Sequence, residues 1–128
     1  MRKSIENLTG RKYTGGKITP SRSRKKYEID RYPNEALVGK TISVSRRTRG
    51  GNYKTALKSS EFANVTNPET RKTQKTIISQ VIRNPANRDY ERRGVVNKGA
   101  IIETELGAAK VTSRPGQHGC VNAIQISQ

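Results

Sequence analysis

The chain has few of the residues from which catalytic and metal sites are built. Its only cysteine is Cys120 and its only histidine is His118. One thiol excludes an internal disulfide and is typical of a reducing cytosol, and one Cys with one His falls short of the four ligands of structural zinc. No third group orients the two as a nucleophile and its base, so we assign His118 to a turn and Cys120 to the core. The sequence predicts no enzyme, no metal and no cofactor.

Apolar residues are also scarce. Hydrophobic residues make up 30% of the chain, with one Phe and no Trp, so the core is expected to be small and built from Ile, Val, Leu and Ala. No apolar run approaches the ~18 residues of a membrane span, and no signal-type stretch follows Met1-Arg2-Lys3. We expect one domain with an extension, in the cytoplasm, with no membrane partner.

Acidic residues are few, and the positive charges are unevenly placed. Against 26 lysines and arginines there are 10 acidic residues, a net charge of +16. Residues 1–58 hold 16 Lys/Arg and 4 Asp/Glu, which gives +12, whereas residues 59–128 hold 10 and 6, which gives +4. Each cation laid against a phosphate releases a condensed counterion, so a polyanion is the expected partner.

The pattern of apolar residues divides the chain into two parts. Residues 1–39 show no sustained apolar period and carry basic runs with Gly, Pro and Ser, so we predict a basic, largely extended N-terminal arm. Residues 40–128 contain short segments rich in Ile and Val, each typical of a strand, separated by turn signals. This pattern indicates an all-β sandwich or barrel. We predict a small barrel of about six short strands, since closure would remove exposed sheet edges.

Particular segments carry this prediction. Thr41–Ser45 alternates as a half-buried strand, and Gly50-Gly51-Asn52 indicates a hairpin or bulged loop. Residues 76–82 are compatible with a strand or a short helix, and their Ile and Val content favours the strand. Ile102, Thr104 and Leu106 are expected on one face of a strand, because polar and apolar positions alternate there. A last strand is expected near Val121–Ile126.

Basic residues cluster beside tyrosines, a mixture that suits RNA. Arginine binds phosphate through two parallel hydrogen bonds, and lysine supplies a compact positive charge. Tyrosine stacks on an unpaired base or packs against a ribose. The predicted RNA-binding residues are Arg11, Lys12, Tyr13, Lys17, Arg22, Arg24, Lys25, Lys26, Arg31, Arg46, Arg47, Arg49, Lys54, Arg92, Arg93 and Arg114. Glu103 and Glu105 share one strand face and are expected to pair with Lys or Arg across the sheet.

The ordered motifs resemble a known family. Residues 12–17, 25–31 and 47–52, then 104–107 and 111–117, are similar to the eight-e family of small-subunit ribosomal proteins, in its short archaeal form. The resemblance implies a β-barrel body with a basic N-terminal extension. It also implies a structural constituent of the ribosome that binds and stabilises small-subunit rRNA beside neighbouring ribosomal proteins, with no small-molecule substrate.

Our hypothesis is that the body docks as a preformed unit while the arm, residues 2–31, orders on rRNA. The alternative is a free-standing RNA-binding or RNA-chaperone protein, which would share the basic barrel. An RNA-processing enzyme would need a general base or a metal cluster, and the sequence offers neither.

Overall fold

A computed structural model describes residues 11–18, 22, 25–28 and 33–126. The chain forms two compact units, Met1–Pro33 and Asn34–Gln128. Among the described residues, no helix has the length and hydrophobicity needed to cross a bilayer.

In the first unit, a tight loop replaces part of the extended arm that we predicted. Arg11 and Lys17 form a β-bridge, and the Lys12 amide donates to the Gly16 carbonyl oxygen at 2.8 Å. Gly15 has a φ of 84°, a value that glycine adopts without a steric penalty, and it allows the chain to reverse. The segment 11–17 is therefore closed on itself.

The second unit is built from short strands and two short helices. Its strands are β1 (Ala36–Val38), β2 (Ile42–Arg47), β3 (Tyr53–Ser60), β4 (Phe62–Thr66), β5 (Thr73–Arg83), β6 (Val95–Val96), β7 (Ile101–Thr104), β8 (Gly107–Val111) and β9 (Asn122–Gln125). The helices are α1 (Arg88–Arg92) and α2 (Pro115–His118). Asn87 caps α1, because its side-chain oxygen accepts from the Asp89 amide at 2.8 Å.

Five strands close into a barrel in the order β4-β5-β7-β8-β9, with β9 parallel to β4 at the seam. Alternate residues point inward, including Val65, Ile102 and Val111. Ala63, Ala109 and Ala123 are also buried, and their small side chains suit the narrow interior of a five-stranded barrel. The barrel interior is thus filled by side chains.

The other four strands form an open sheet in the order β2-β3-β1-β6. Only Glu61 separates β3 from β4, so the chain passes almost directly from the sheet into the barrel. Ala36, Leu57 and Val96 of the sheet belong to the same core as the barrel residues. Sheet and barrel therefore share one apolar core.

The structure corrects the predicted barrel of about six strands to a five-stranded barrel with a separate open sheet. No residue of β2 is buried, so this strand has nothing with which to line a barrel interior. The strand alternation predicted to continue through Leu106 was wrong. Strand β7 ends at Thr104, and the chain then turns before Gly107, which has a φ of 105°. The strand interpretation of residues 76–82 is confirmed by β5, and the last strand by β9.

Candidate nucleic-acid interface

The β2–β3 hairpin projects basic residues from the open sheet. Arg46 lies opposite Lys54 and Arg47 opposite Tyr53 in the antiparallel register. The hairpin turns through Arg49–Gly51, where Gly50 and Gly51 have φ values of 72° and 76°. The predicted glycine hairpin is therefore confirmed, and it brings four of the predicted RNA-binding residues together.

Arg46 and Lys54 form a pair of like charges on one face of the hairpin. Residues directly opposite in antiparallel strands place their Cβ atoms about 4.5–5.5 Å apart, and like charges there are destabilising. In the part of the chain that the structure describes, neither cation is ion-paired with a carboxylate. Both are held by neutral amides, and the pair keeps its two positive charges.

Asn34 holds the arginine of this pair. The Arg46 guanidinium donates to Asn34 Oδ1 at 2.8 Å, while Asn34 Nδ2 donates to the Leu57 carbonyl oxygen. The second bond ties the amide to the backbone of β3 and turns its oxygen toward Arg46. The half-buried guanidinium is therefore fixed in direction without losing charge.

Gln117 on α2 holds the lysine. Lys54 Nζ donates to Gln117 Oε1 at 3.5 Å, the long limit of a hydrogen bond. The loop that carries α2 is closed at its base, because Ser113 Oγ donates to the Cys120 carbonyl oxygen at 3.0 Å and accepts from the Asn122 amide at 2.9 Å. Gln117 is thus presented to the hairpin by a braced loop.

Two glycines let this loop approach the hairpin. A Cβ at Gly119 would lie 2.9 Å from Cβ and Cγ2 of Thr55, and a Cβ at Gly116 would lie 3.1 Å from Cβ of Asn34. Gly119 also ends α2 with a φ of 70°. A side chain at Gly116 would push the loop away from Asn34, and one at Gly119 would push it away from Thr55 on β3.

Comparison with known proteins identifies the family. The family model described as "Ribosomal protein S8e" matches residues 6–126. This chain belongs to the ribosomal protein S8e family. S8e members are structural ribosomal proteins without enzymatic activity, so the expectation of a non-enzymatic chain is confirmed.

Among curated S8e proteins, three archaeal relatives illustrate the similarity, each named small ribosomal subunit protein eS8. The Sulfolobus acidocaldarius protein is 44% identical over 92% of this chain and 93% of its own length. The Methanocorpusculum labreanum protein is 47% identical over 91% and 93%. The Methanococcoides burtonii protein is 47% identical over 95% and 98%. The resemblance inferred from the motifs is confirmed.

In the first unit of this S8e chain, the predicted residues are placed as follows. Tyr13 is fully exposed on the closed loop, and the Arg11 guanidinium donates to the Gly15 carbonyl oxygen at 2.9 Å. Arg22 forms two 2.7 Å hydrogen bonds with Glu28, which raise the pKa of Arg22. Lys12, Lys17, Lys25 and Lys26 are exposed. Arg24 and Arg31 lie outside the described residues.

Arg92 and Arg93, on and beside α1, contact carboxylates of their own chain. Arg93 donates to both oxygens of Glu35 at 2.6 and 2.9 Å and also pairs with Asp89 at 2.9 Å. The hydrogen bond with Arg93 lowers the pKa of Glu35. Arg92 pairs with Asp89 at 3.1 Å. These two arginines are therefore not part of the cluster at the hairpin, and their contact with RNA stays a prediction.

The structure adds residues that sequence reasoning missed. Asn34 and Gln117 are uncharged and lie outside any basic run, so no local signal marks them as partners of the hairpin. Arg114, a predicted RNA-binding residue, precedes α2 in the same loop, where its amide donates to His118 Nδ1 at 3.2 Å.

Glu103 accepts from Gln80 at 2.6 Å and not from the lysine or arginine that we expected. Within the described residues, no group of three acidic, His or Cys side chains is placed to hold a metal.

We predict that Gly119→Ala loosens the α2 loop from the hairpin. The control is Gly94→Ala, since Gly94 has a similar φ of 65° but a Cβ added there would meet nothing within 4 Å. Both variants carry the strain of a left-handed alanine, and the clash with Thr55 should cost Gly119→Ala about 1–3 kcal/mol more. Urea unfolding measures both free energies. Equal losses would show that the close approach of Gly119 to Thr55 is unimportant.

Proposed function

We propose that this chain is a structural component of the small ribosomal subunit, in the cytoplasm, and that it stabilises rRNA by neutralising phosphates. Membership of the S8e family and the names of its relatives support the first part. The observation that carries the second part is the cation pair Arg46 and Lys54, which is held by amide oxygens and has no carboxylate partner among the described residues.

A phosphate suits this pair for a physical reason. Two positive charges held on one hairpin face repel each other, and an anion that contacts both removes this repulsion. Arginine offers a rigid fork of donors, and lysine offers a compact charge. The Asn34 amide fixes the arginine in advance, so less side-chain entropy is lost when RNA binds. Arg49 lies in the turn of the same hairpin, and Arg114 precedes α2, the helix that carries Gln117.

The N-terminal part belongs to the same proposal. The predicted extension, residues 1–39, includes β1, which pairs with β3 and contributes Ala36 to the core. We therefore assign the rRNA-binding extension to the residues before Asn34, and Asn34–Gln128 to the body that docks beside neighbouring ribosomal proteins. The concentration of charge supports this division, since residues 1–33 carry 10 basic and 3 acidic residues. Within the first unit, the exposed Tyr13 and Lys12 sit on the closed loop, where both can reach RNA.

We predict that the hairpin contributes to a steep salt dependence of rRNA binding. With about 6–10 phosphate contacts, the affinity of the full chain for archaeal small-subunit rRNA should fall about 10³–10⁵-fold between 50 and 200 mM salt. The double variant Arg46→Gln with Lys54→Gln should lower the slope of log affinity against log salt by about 1.5–2, because two contacts are lost. Filter binding at several salt concentrations measures the slope.

The matched control for this experiment is Arg83→Gln with Lys110→Gln, which removes the same two charges from exposed barrel positions. We expect its slope to stay close to that of the unchanged chain. If both double variants lowered the slope equally, overall charge and not the hairpin would explain binding.

We also predict that the chain travels with small ribosomal subunits in a sucrose gradient after a moderate salt wash. A structural constituent stays bound because many contacts must break together, whereas an RNA chaperone exchanges among RNAs. Immunoblotting of gradient fractions makes the measurement. Recovery mainly at the top of the gradient would favour the free-standing RNA-binding protein.

A further inference from the structure

The β2–β3 hairpin presents different chemistry on its two faces. Neighbouring residues of a strand point to opposite faces, so the Arg47–Tyr53 pair faces away from the Arg46–Lys54 pair. One face carries two cations, and the other carries a guanidinium beside a phenol ring. Phosphate neutralisation accounts for the first face and leaves the second without a role.

The Tyr53 side chain is exposed and forms no hydrogen bond or ring contact in the described part of the chain. Its exposed fraction is 70%, although the ring is large and mostly apolar. The ring contacts that the structure describes are those of Phe62 with Lys75 and of Tyr90 with Arg93, and neither involves Tyr53. Arg47 beside it is exposed and forms no described hydrogen bond or ion pair. A flat ring and a flat cation therefore lie side by side in solvent.

The hairpin tip leaves room for a ligand near this pair. The turn ends in Gly50 and Gly51, which have no side chains, and a Cβ built at Gly51 would meet nothing within 4 Å. The Thr48 amide donates to the Asn52 carbonyl oxygen at 2.7 Å and closes the turn. A planar group can approach Tyr53 from the tip, because neither glycine has a side chain that would have to move.

We propose that the Arg47–Tyr53 face stacks on an unpaired nucleobase, while the opposite face binds backbone phosphates. This inference rests on the proposed rRNA-binding function and names the kind of RNA site that the hairpin takes. A base within a duplex has both of its faces covered by its neighbours, whereas a bulged or looped base offers a free face to an aromatic ring. The guanidinium also favours a base, because it stacks on planar π systems and attracts the adjoining phosphate.

A purely structural role for Tyr53 makes a different prediction. Aromatic residues are enriched in β-strands and pair well across strands. On that account Tyr53→Val, which keeps a β-forming residue, would leave RNA selectivity unchanged. The stacking proposal requires an aromatic ring at this position, so Tyr53→Phe should keep the selectivity that Tyr53→Val loses.

The experiment uses the absence of tryptophan from the chain. Tyr53→Trp in the full chain introduces a single indole, whose fluorescence is quenched when a base stacks on it. Three RNA duplexes of equal length serve as probes: one with a single unpaired adenosine, one with an abasic nucleotide at that position, and one fully paired. The abasic duplex keeps the phosphate and lacks only the base. Tyr90→Trp is the control, since Tyr90 lies on α1 and contacts Arg93.

We expect the unpaired adenosine to quench the indole of the Tyr53→Trp variant strongly and the other two probes to quench it weakly, with no such difference for the Tyr90→Trp variant. Tyr53→Val should lower the affinity for the unpaired adenosine relative to the abasic probe by roughly fivefold to 100-fold, and Tyr53→Phe should change it little. Equal quenching by all three probes, or full selectivity in Tyr53→Val, would overturn the stacking proposal. Neither result would change the salt dependence of rRNA binding measured for the Arg46 and Lys54 variants. That measurement tests the proposed function separately.

Discussion

The proposed RNA interface depends on holding two positive charges opposite each other without neutralising them. Arg46 and Lys54 face the same side of a two-stranded hairpin, and amide oxygens of Asn34 and Gln117 take the places that carboxylates would otherwise take. A carboxylate would stabilise the free protein and compete with phosphate. A neutral amide fixes direction and leaves the charge available, so the free hairpin keeps a repulsion that RNA would relieve in the proposed function.

The rest of the second unit serves this arrangement. The barrel gives α2 a braced loop, and Gly116 and Gly119 let that loop approach Asn34 and Thr55. The open sheet shares its core with the barrel through Leu57, whose carbonyl oxygen orients the Asn34 amide. By contrast, Arg93 is joined to Glu35 and Asp89, so its charge is compensated within the fold.

The sequence predicted those features that depend on neighbouring residues. Alternation indicated β2, and paired glycines indicated the hairpin turn. Clustered charge led to the polyanion partner, which stays a prediction. It did not predict that β2 stays outside the barrel, because alternation shows a half-covered strand without showing what covers it. It also missed Asn34 and Gln117, since a bond such as that between Lys54 and Gln117 joins residues far apart in the chain. Charge alone did not separate Arg93 from Arg46, because the difference lies in tertiary partners.

A double-mutant cycle on the free protein tests the central claim most directly. The unfolding free energies of Arg46→Gln, Lys54→Gln and the double variant are compared at low salt and at about 1 M salt, where the screening length is about 3 Å. We predict a repulsive coupling of about 0.2–1 kcal/mol at low salt: the double variant is less stable than the two single changes imply when added, and the difference shrinks at high salt. A coupling of zero, or an attractive one, would contradict an interface whose two cations are held together against their repulsion.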